Sequence, residues 1–118
     1  MKEYYISPIE KYKDIIVAVE DFTTITRRNR TIISGRLYFI DGTFLEIYDR
    51  WYEDKLERYN HYWLDEDTVI IGWDNKEHHK DVATFPHHKH TKQKEQVLSS
   101  NERTLEAVLN VINKYICK

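Results

Sequence analysis

The sequence predicts an α+β domain: a single five-stranded antiparallel meander sheet, with a short N-terminal helix and a C-terminal helix packed on one face. Three observations carry this prediction. From residue 15 to residue 73, β-branched and aromatic residues come in short runs separated by short polar turns, the pattern of strands that follow one another in a meander. An Asp41-Gly42 pair lies between two such runs, a strong hairpin signal. Near the end, Leu105, Val108, Leu109, Ile112 and Ile116 recur at helical spacing, with polar residues on the other faces. At 118 residues the chain is long enough to bury roughly two thirds of its unfolded surface around one core, so residues 1–118 are expected to form one domain.

Ser7-Pro8-Ile9-Glu10 reads as a helix start, because serine can cap, proline is tolerated at the first helical position and glutamate suits the positive end of the helix dipole. From Ile15 the β-branched content favours a strand, and Arg27, Arg28 and Arg30 then mark a turn. Thr31 to Ile40 forms the second strand. A three-residue loop of Ile40, Asp41 and Gly42 pairs Leu37 with Leu45, Arg36 with Glu46 and Tyr38 with Phe44, and puts the left-handed loop position on a glycine. The third strand runs to about Tyr52, Leu56 to Leu64 forms a fourth and Thr68 to Trp73 a fifth. No periodicity is visible from Asp74 to about Gln93, which reads as one long connection along an edge or end of the sheet. Loops of that length are usually functional or disordered. Ser99 with Glu102 forms a capping box ahead of the final helix.

The formal charge of −2 is unevenly spread. Residues 41 to 67 hold nine acids and three bases, whereas residues 76 to 95 hold five lysines, three acids and five of the six histidines. That asymmetry points to a local anionic site, not to indiscriminate nucleic-acid binding. A lone cysteine, Cys117, cannot form an internal disulfide and is a poor nucleophile candidate so near the end. No apolar run has signal-peptide or membrane-spanning length, so a cytoplasmic protein without membrane contact is expected. No glycine-rich phosphate loop or nucleophile elbow is present, and no cofactor is called for.

His78, His79, His87, His88 and His90 fall within 13 residues. One explanation is acid-base cleavage of RNA, where one imidazole takes the 2′-hydroxyl proton and another protonates the leaving 5′-oxygen, since histidine is the side chain whose ordinary ionisation permits both states near neutrality. In an extended stretch after Pro86, His88 and His90 point to one side and His87 away. His88 and His90 are the preferred pair, His78 or His79 assists, and Asp74 orients an imidazole. Lys80, Lys89, Lys92 or an arginine such as Arg28 supplies positive charge, and Phe85 can stack on a base. A second explanation is a metal site in which His88 and His90 join His78 or His79, although the spacing matches no established zinc pattern. A third is a noncatalytic nucleic-acid or partner contact, with Phe85, Trp73 or Tyr62 stacking on bases. The bland alternative, hydrogen-bonded surface histidines, wins for any one ring alone and weakens for five together. His61, inside an aromatic strand, reads as structural, and Trp51, Trp63 and Trp73 read as core or sheet-face residues more than as stacking platforms.

Tyr62-Trp63, Trp73-Asp74-Asn75, His78-His79 and Thr84-Phe85-Pro86-His87-His88-Lys89-His90, in that order before a leucine-rich closing helix, resemble the TumE family of toxin-antitoxin toxins. The resemblance extends to the Gly35-Arg36-Leu37 and Asp41-Gly42-Thr43 hairpin. Where the family commonly has proline, this chain has Glu77 and Lys80. The resemblance implies a small cytoplasmic toxin acting as a ribonuclease, with RNA as substrate and a helix-turn-helix antitoxin as partner. The charge asymmetry adds the expectation that an acidic antitoxin segment covers the basic stretch. A homodimer through an exposed strand edge stays among the options.

Overall fold

A computed structural model describes residues 2–76, 86–91, 97–100 and 102–118. The elements are α1 (Lys2–Lys11), β1 (Ile16–Arg27), β2 (Arg30–Phe39), β3 (Phe44–Tyr52), β4 (Lys55–Arg58), β5 (Asn60–Asp65), β6 (Thr68–Asp74), β7 (His88–Thr91), β8 (Val97–Ser99) and α2 (Leu105–Ile116). The class is α+β, and every strand pairing is antiparallel. Among the described residues the sheet has eight strands instead of the expected five: β1-β2-β3-β5-β6-β7-β8 lie side by side and β4 pairs with the end of β3.

The β2–β3 hairpin has the register that side-chain pairing predicts: Leu37 faces Leu45, Arg36 faces Glu46 and Tyr38 faces Phe44. Its loop is closed by the Phe39 N–H donating to Thr43 O at 2.9 Å, and Gly42 takes the left-handed position at φ +90°. The helix start at Ser7-Pro8 is wrong, because α1 begins at Lys2 and carries Pro8 inside it. Tyr4 and Tyr5 pull the helix upstream by packing edge-on against Trp51 at 5.1 and 6.3 Å. Burying those rings outweighs the hydrogen bond that proline cannot donate.

The expected fourth strand is two. At Tyr59 the ladder breaks, and the Tyr59 N–H donates instead to the Asn75 side chain at 2.9 Å. The expected long connection also contains strand: β7 pairs with β6 from Ile71–Thr91 to Asp74–His88, and β8 pairs with β7. Cross-strand partners, not an apolar pattern, hold His88-Lys89-His90-Thr91 extended. Thr104, not Ser99, caps α2, with its hydroxyl accepting the Ala107 N–H at 3.1 Å. Ser99 belongs to β8, and Glu102 is drawn to the side chains of Trp73 and Lys89.

Alternation gives the sheet two unlike faces. One carries Ile33, Leu37, Leu45, Ile47, Trp51, Trp63, Ile71 and Trp73 into a core with Leu105, Val108, Leu109 and Ile112 of α2. Each of these burials is worth roughly 1.5–3 kcal/mol. The three tryptophans are therefore core residues, as read from sequence. The opposite face carries Ser34, Arg36, Glu46, Tyr48, Arg50, Asn60 and Tyr62 on the central strands, and no described helix packs on it.

Candidate active site

Trp73, Asp74 and Asn75 alternate at the end of β6, and each has a distinct partner. Trp73 enters the core and donates its indole N–H to Glu102 at 3.2 Å. Asn75 accepts the Tyr59 N–H and donates to Glu57 O at 3.2 Å, which fixes the break between β4 and β5. Asp74 turns to the opposite face, where it is 1% exposed.

Four groups surround that carboxylate. Asp74 Oδ2 accepts the Tyr62 hydroxyl at 2.9 Å and His90 Nε2 at 3.1 Å. Asp74 Oδ1 accepts the Lys76 N–H at 3.0 Å and lies 2.6 Å from His88 Nε2. The latter contact runs off the line of the ring's N–H direction, so it is a charge contact more than an aligned hydrogen bond. The His88 and His90 rings sit 5.0 Å apart and nearly perpendicular, at 83°. The ladder brings this about, since His88 is directly opposite Asp74, His90 opposite Gly72, and Gly72 opposite Tyr62.

Counting protons constrains the group. His88 Nδ1 is 2.9 Å from the Pro86 carbonyl oxygen, which only accepts, so Nδ1 carries a hydrogen. Its Nε2 faces a carboxylate oxygen at 2.6 Å, a distance at which two lone pairs repel. A proton on Nε2, or a metal ion held by both groups, would turn that repulsion into attraction. His88 is wholly buried, whereas the His90 side chain is 23% exposed, so His90 is the imidazole that an incoming molecule can touch. Burial, reinforced by the Asp74 charge and the hydrogen bond to it, pushes Tyr62 ionisation well above the ordinary tyrosine range. Tyr62 therefore remains a donor to Asp74. Its ring lies flat on Gly72: a Cβ there would stand 2.9 Å from the ring carbons.

Beside this cluster, the open face has a depression of about 540 Å³ lined by Ser34, Arg36, Glu46, Tyr48, Asn60 and Tyr62 among others. An adjoining one of about 320 Å³ shares Tyr48 and Asn60 and adds Arg50, Arg58 and Lys76. Arg36 and Arg50 are paired with Glu46 at 2.7 Å and Glu57 at 2.9 Å.

Of the residues singled out from sequence, the structure unites Asp74, His88 and His90. His87 points to the other face, as its place in an extended stretch requires, and stacks on Tyr59 at 5.8 Å with Nδ1 3.0 Å from the Tyr59 hydroxyl. Burial, then the charges of Arg103 and His88, lowers its affinity for a proton. Lys89 also lies on the helix face, 3.1 Å from Glu102, and does not join the cluster. Arg28 sits at the β1–β2 tip with φ 60°, at the far edge of the sheet. His78, His79, Lys80, Phe85 and Lys92 lie outside the described residues. His61 is structural: wholly buried on the core face, its Nε2 is 2.8 Å from Asp49, which also accepts the Tyr5 hydroxyl at 2.5 Å. Sequence reasoning missed the hydroxyl role of Tyr62, which it counted only as a stacking candidate, and the close approach at Gly72. A glycine inside a strand run was the available signal.

The atoms available as ligands on Asp74, His88 and His90 all lie within 4.8 Å of one another, so these three residues can hold a metal ion. No helix among the described residues is long and apolar enough to cross a membrane.

A buried carboxylate gripped by two imidazoles and a phenol, on the face of one antiparallel sheet turned away from α2, defines a small α+β protein with a histidine–carboxylate site. The chain belongs to the Toxin TumE family, whose model matches residues 6–116 and so spans all eight strands and α2. No curated protein and no solved structure matches it.

Proposed function

We propose that this toxin is an endoribonuclease that cleaves RNA by histidine proton transfer, without a metal ion. The observation that carries this reading is the convergence of His88 and His90 on buried Asp74, beside the depression of the open face. With Nε2 held by Asp74, His90 presents Nδ1 as the atom that takes the 2′-hydroxyl proton, and the carboxylate stabilises the imidazolium that forms. The freed 2′-oxygen attacks the neighbouring phosphorus, and the bond to the 5′-oxygen breaks. His78 or His79 is the proposed acid that protonates that oxygen. His88 and Tyr62 are positioning residues, because they act through Asp74. Lys76 and Arg58 border the depression and suit the phosphate backbone, while Tyr48, 52% exposed, offers a ring for a base. The proposed partner is a helix-turn-helix antitoxin with an acidic segment over residues 76–94. The proposed compartment is the cytoplasm.

The test is cleavage of a defined RNA in EDTA by wild-type protein and by His90→Ala. General acid-base catalysis contributes about 10²- to 10⁴-fold, so the variant should lose that much, and wild-type products should carry 2′,3′-cyclic phosphate ends. Undiminished cleavage by His90→Ala refutes the assignment. Wild-type cleavage that stops in EDTA favours a metal-dependent phosphoesterase, and RNA binding without cleavage favours a recognition module.

A further inference from the structure

We propose that Asp74, His88 and His90 form a binding site for a divalent cation of the zinc class, and that the seated ion shuts off proton transfer at His90. The second half rests on the ribonuclease reading above; the binding does not.

The backbone builds the ligand set. His88 and His90 project from β7 to the same face, and Asp74 stands opposite His88 in the β6–β7 ladder. Four-coordinate zinc, with bonds of about 2.0–2.1 Å, spaces its ligand atoms about 3.3 Å apart. Here Asp74 Oδ1 to His88 Nε2 is 2.6 Å, and Asp74 Oδ2 to His90 Nε2 is 3.1 Å. Small outward rotations of the side chains suffice to admit an ion.

The outer contacts are those that a metal-bound histidine and carboxylate require. His88 donates Nδ1–H to the Pro86 carbonyl, which makes Nε2, beside the carboxylate, the ligating atom of the ring. Asp74 is oriented by the Tyr62 hydroxyl and the Lys76 N–H. A divalent ion satisfies the close approach of His88 Nε2 to Asp74 and draws in His90 as third ligand. Two imidazoles and one carboxylate suit zinc-like ions over magnesium or calcium, which prefer all-oxygen sets. The partial exposure of His90 leaves one side of the ion open to water or a phosphate oxygen. With its Nε2 on the ion, His90 no longer donates to Asp74 and loses the contact that orients its ring toward the 2′-hydroxyl.

Calorimetric titration of the full chain with zinc chloride, against magnesium chloride, tests the site. One tightly bound zinc per chain and no magnesium uptake are expected. His90→Ala should weaken zinc binding more than tenfold, and Tyr62→Phe about tenfold, as for loss of a ligand and of an outer contact. Because variants can misfold, circular dichroism is recorded on each, and cobalt is bound to the wild type for its visible absorption by nitrogen–oxygen coordination. Zinc affinity unchanged in a folded His90→Ala protein, or cobalt spectra without that band, overturns the site. If zinc binds but RNA cleavage continues undiminished, the inhibitory half is wrong. Cleavage without any zinc binding overturns the inference and leaves the ribonuclease reading standing.

Discussion

Gly72→Ala is the perturbation that best isolates the contact between Tyr62 and Asp74. The added methyl carbon would lie 2.9, 2.9 and 3.0 Å from three carbons of the Tyr62 ring, where carbon atoms normally rest about 3.5–4.0 Å apart. The ring must rise from the sheet by most of an ångström, and its hydroxyl then leaves its 2.9 Å bond to Asp74. Crowding of this kind costs about 1–3 kcal/mol, offset by about 0.4–1 kcal/mol from the reduced freedom of the unfolded chain. For 118 residues, 1 kcal/mol moves the melting temperature by about 4 °C, so this net cost lowers it by up to about 10 °C. A hydrogen bond to a charged group is worth about 1.5–3 kcal/mol, so cleavage by the folded fraction should fall roughly 10- to 100-fold. Tyr62→Phe removes the same bond without crowding and should match that activity loss while melting nearer the wild type. The assay is a double-mutant cycle on RNA cleavage in EDTA, with thermal melting alongside. If both substitutions act through one bond, the double variant is no worse than either single variant. Losses that multiply refute the reasoning.

Tyr5→Phe deprives Asp49 of its 2.5 Å donor and leaves the Trp51 indole N–H, now 2.9 Å from that hydroxyl, without its acceptor. It should cost about 2–4 kcal/mol by thermal melting, with cleavage per folded molecule unchanged. In Tyr4 and Tyr5, burial and then the Asp49 charge raise the proton affinity, so the folded chain keeps both phenols protonated at a pH where the unfolded chain loses those protons. The resulting stability is complete below the unfolded value of about 10 and declines as pH rises above it. Ultraviolet titration should show these tyrosines ionising only together with unfolding; their ionisation in the folded state would contradict this. Thr104→Ala removes the cap of α2 and should cost about 1 kcal/mol by denaturant melting, with no loss if the hydroxyl bond to Ala107 is idle.

The sequence shows its structure most clearly where geometry is local. Pairing Leu37 with Leu45 specifies the β2–β3 register, and the stripe from Leu105 to Ile116 specifies the buried face of α2. The common side of His88 and His90 follows from the two-residue repeat of any extended chain. What stayed hidden depends on contacts distant in sequence. β7 has polar side chains on both faces, His88 and His90 beside Asp74 on one and Lys89 beside Glu102 on the other, so no hydrophobic alternation marks it as a strand. Glu102, three residues after a serine, looks like half of a capping box until Trp73 and Lys89 are seen to claim it. Pro8 reads as a first-turn residue because nothing local reveals that Tyr5 is anchored to Asp49, 44 positions away. Tyr62 looks like one more sheet aromatic until the flat approach to Gly72 delivers its hydroxyl to the carboxylate.

The most direct measurement is the crystal structure of the full chain with a short RNA made uncleavable by a methylene group in place of the scissile 5′-oxygen, which keeps the 2′-hydroxyl. The ribose 2′-oxygen should lie about 2.6–3.2 Å from a nitrogen of His90, whose other nitrogen remains on Asp74, with the strand following the open face past Tyr62 and Tyr48. An RNA seated against the helices, or one whose ribose and phosphate stay beyond the reach of His90, would contradict the account.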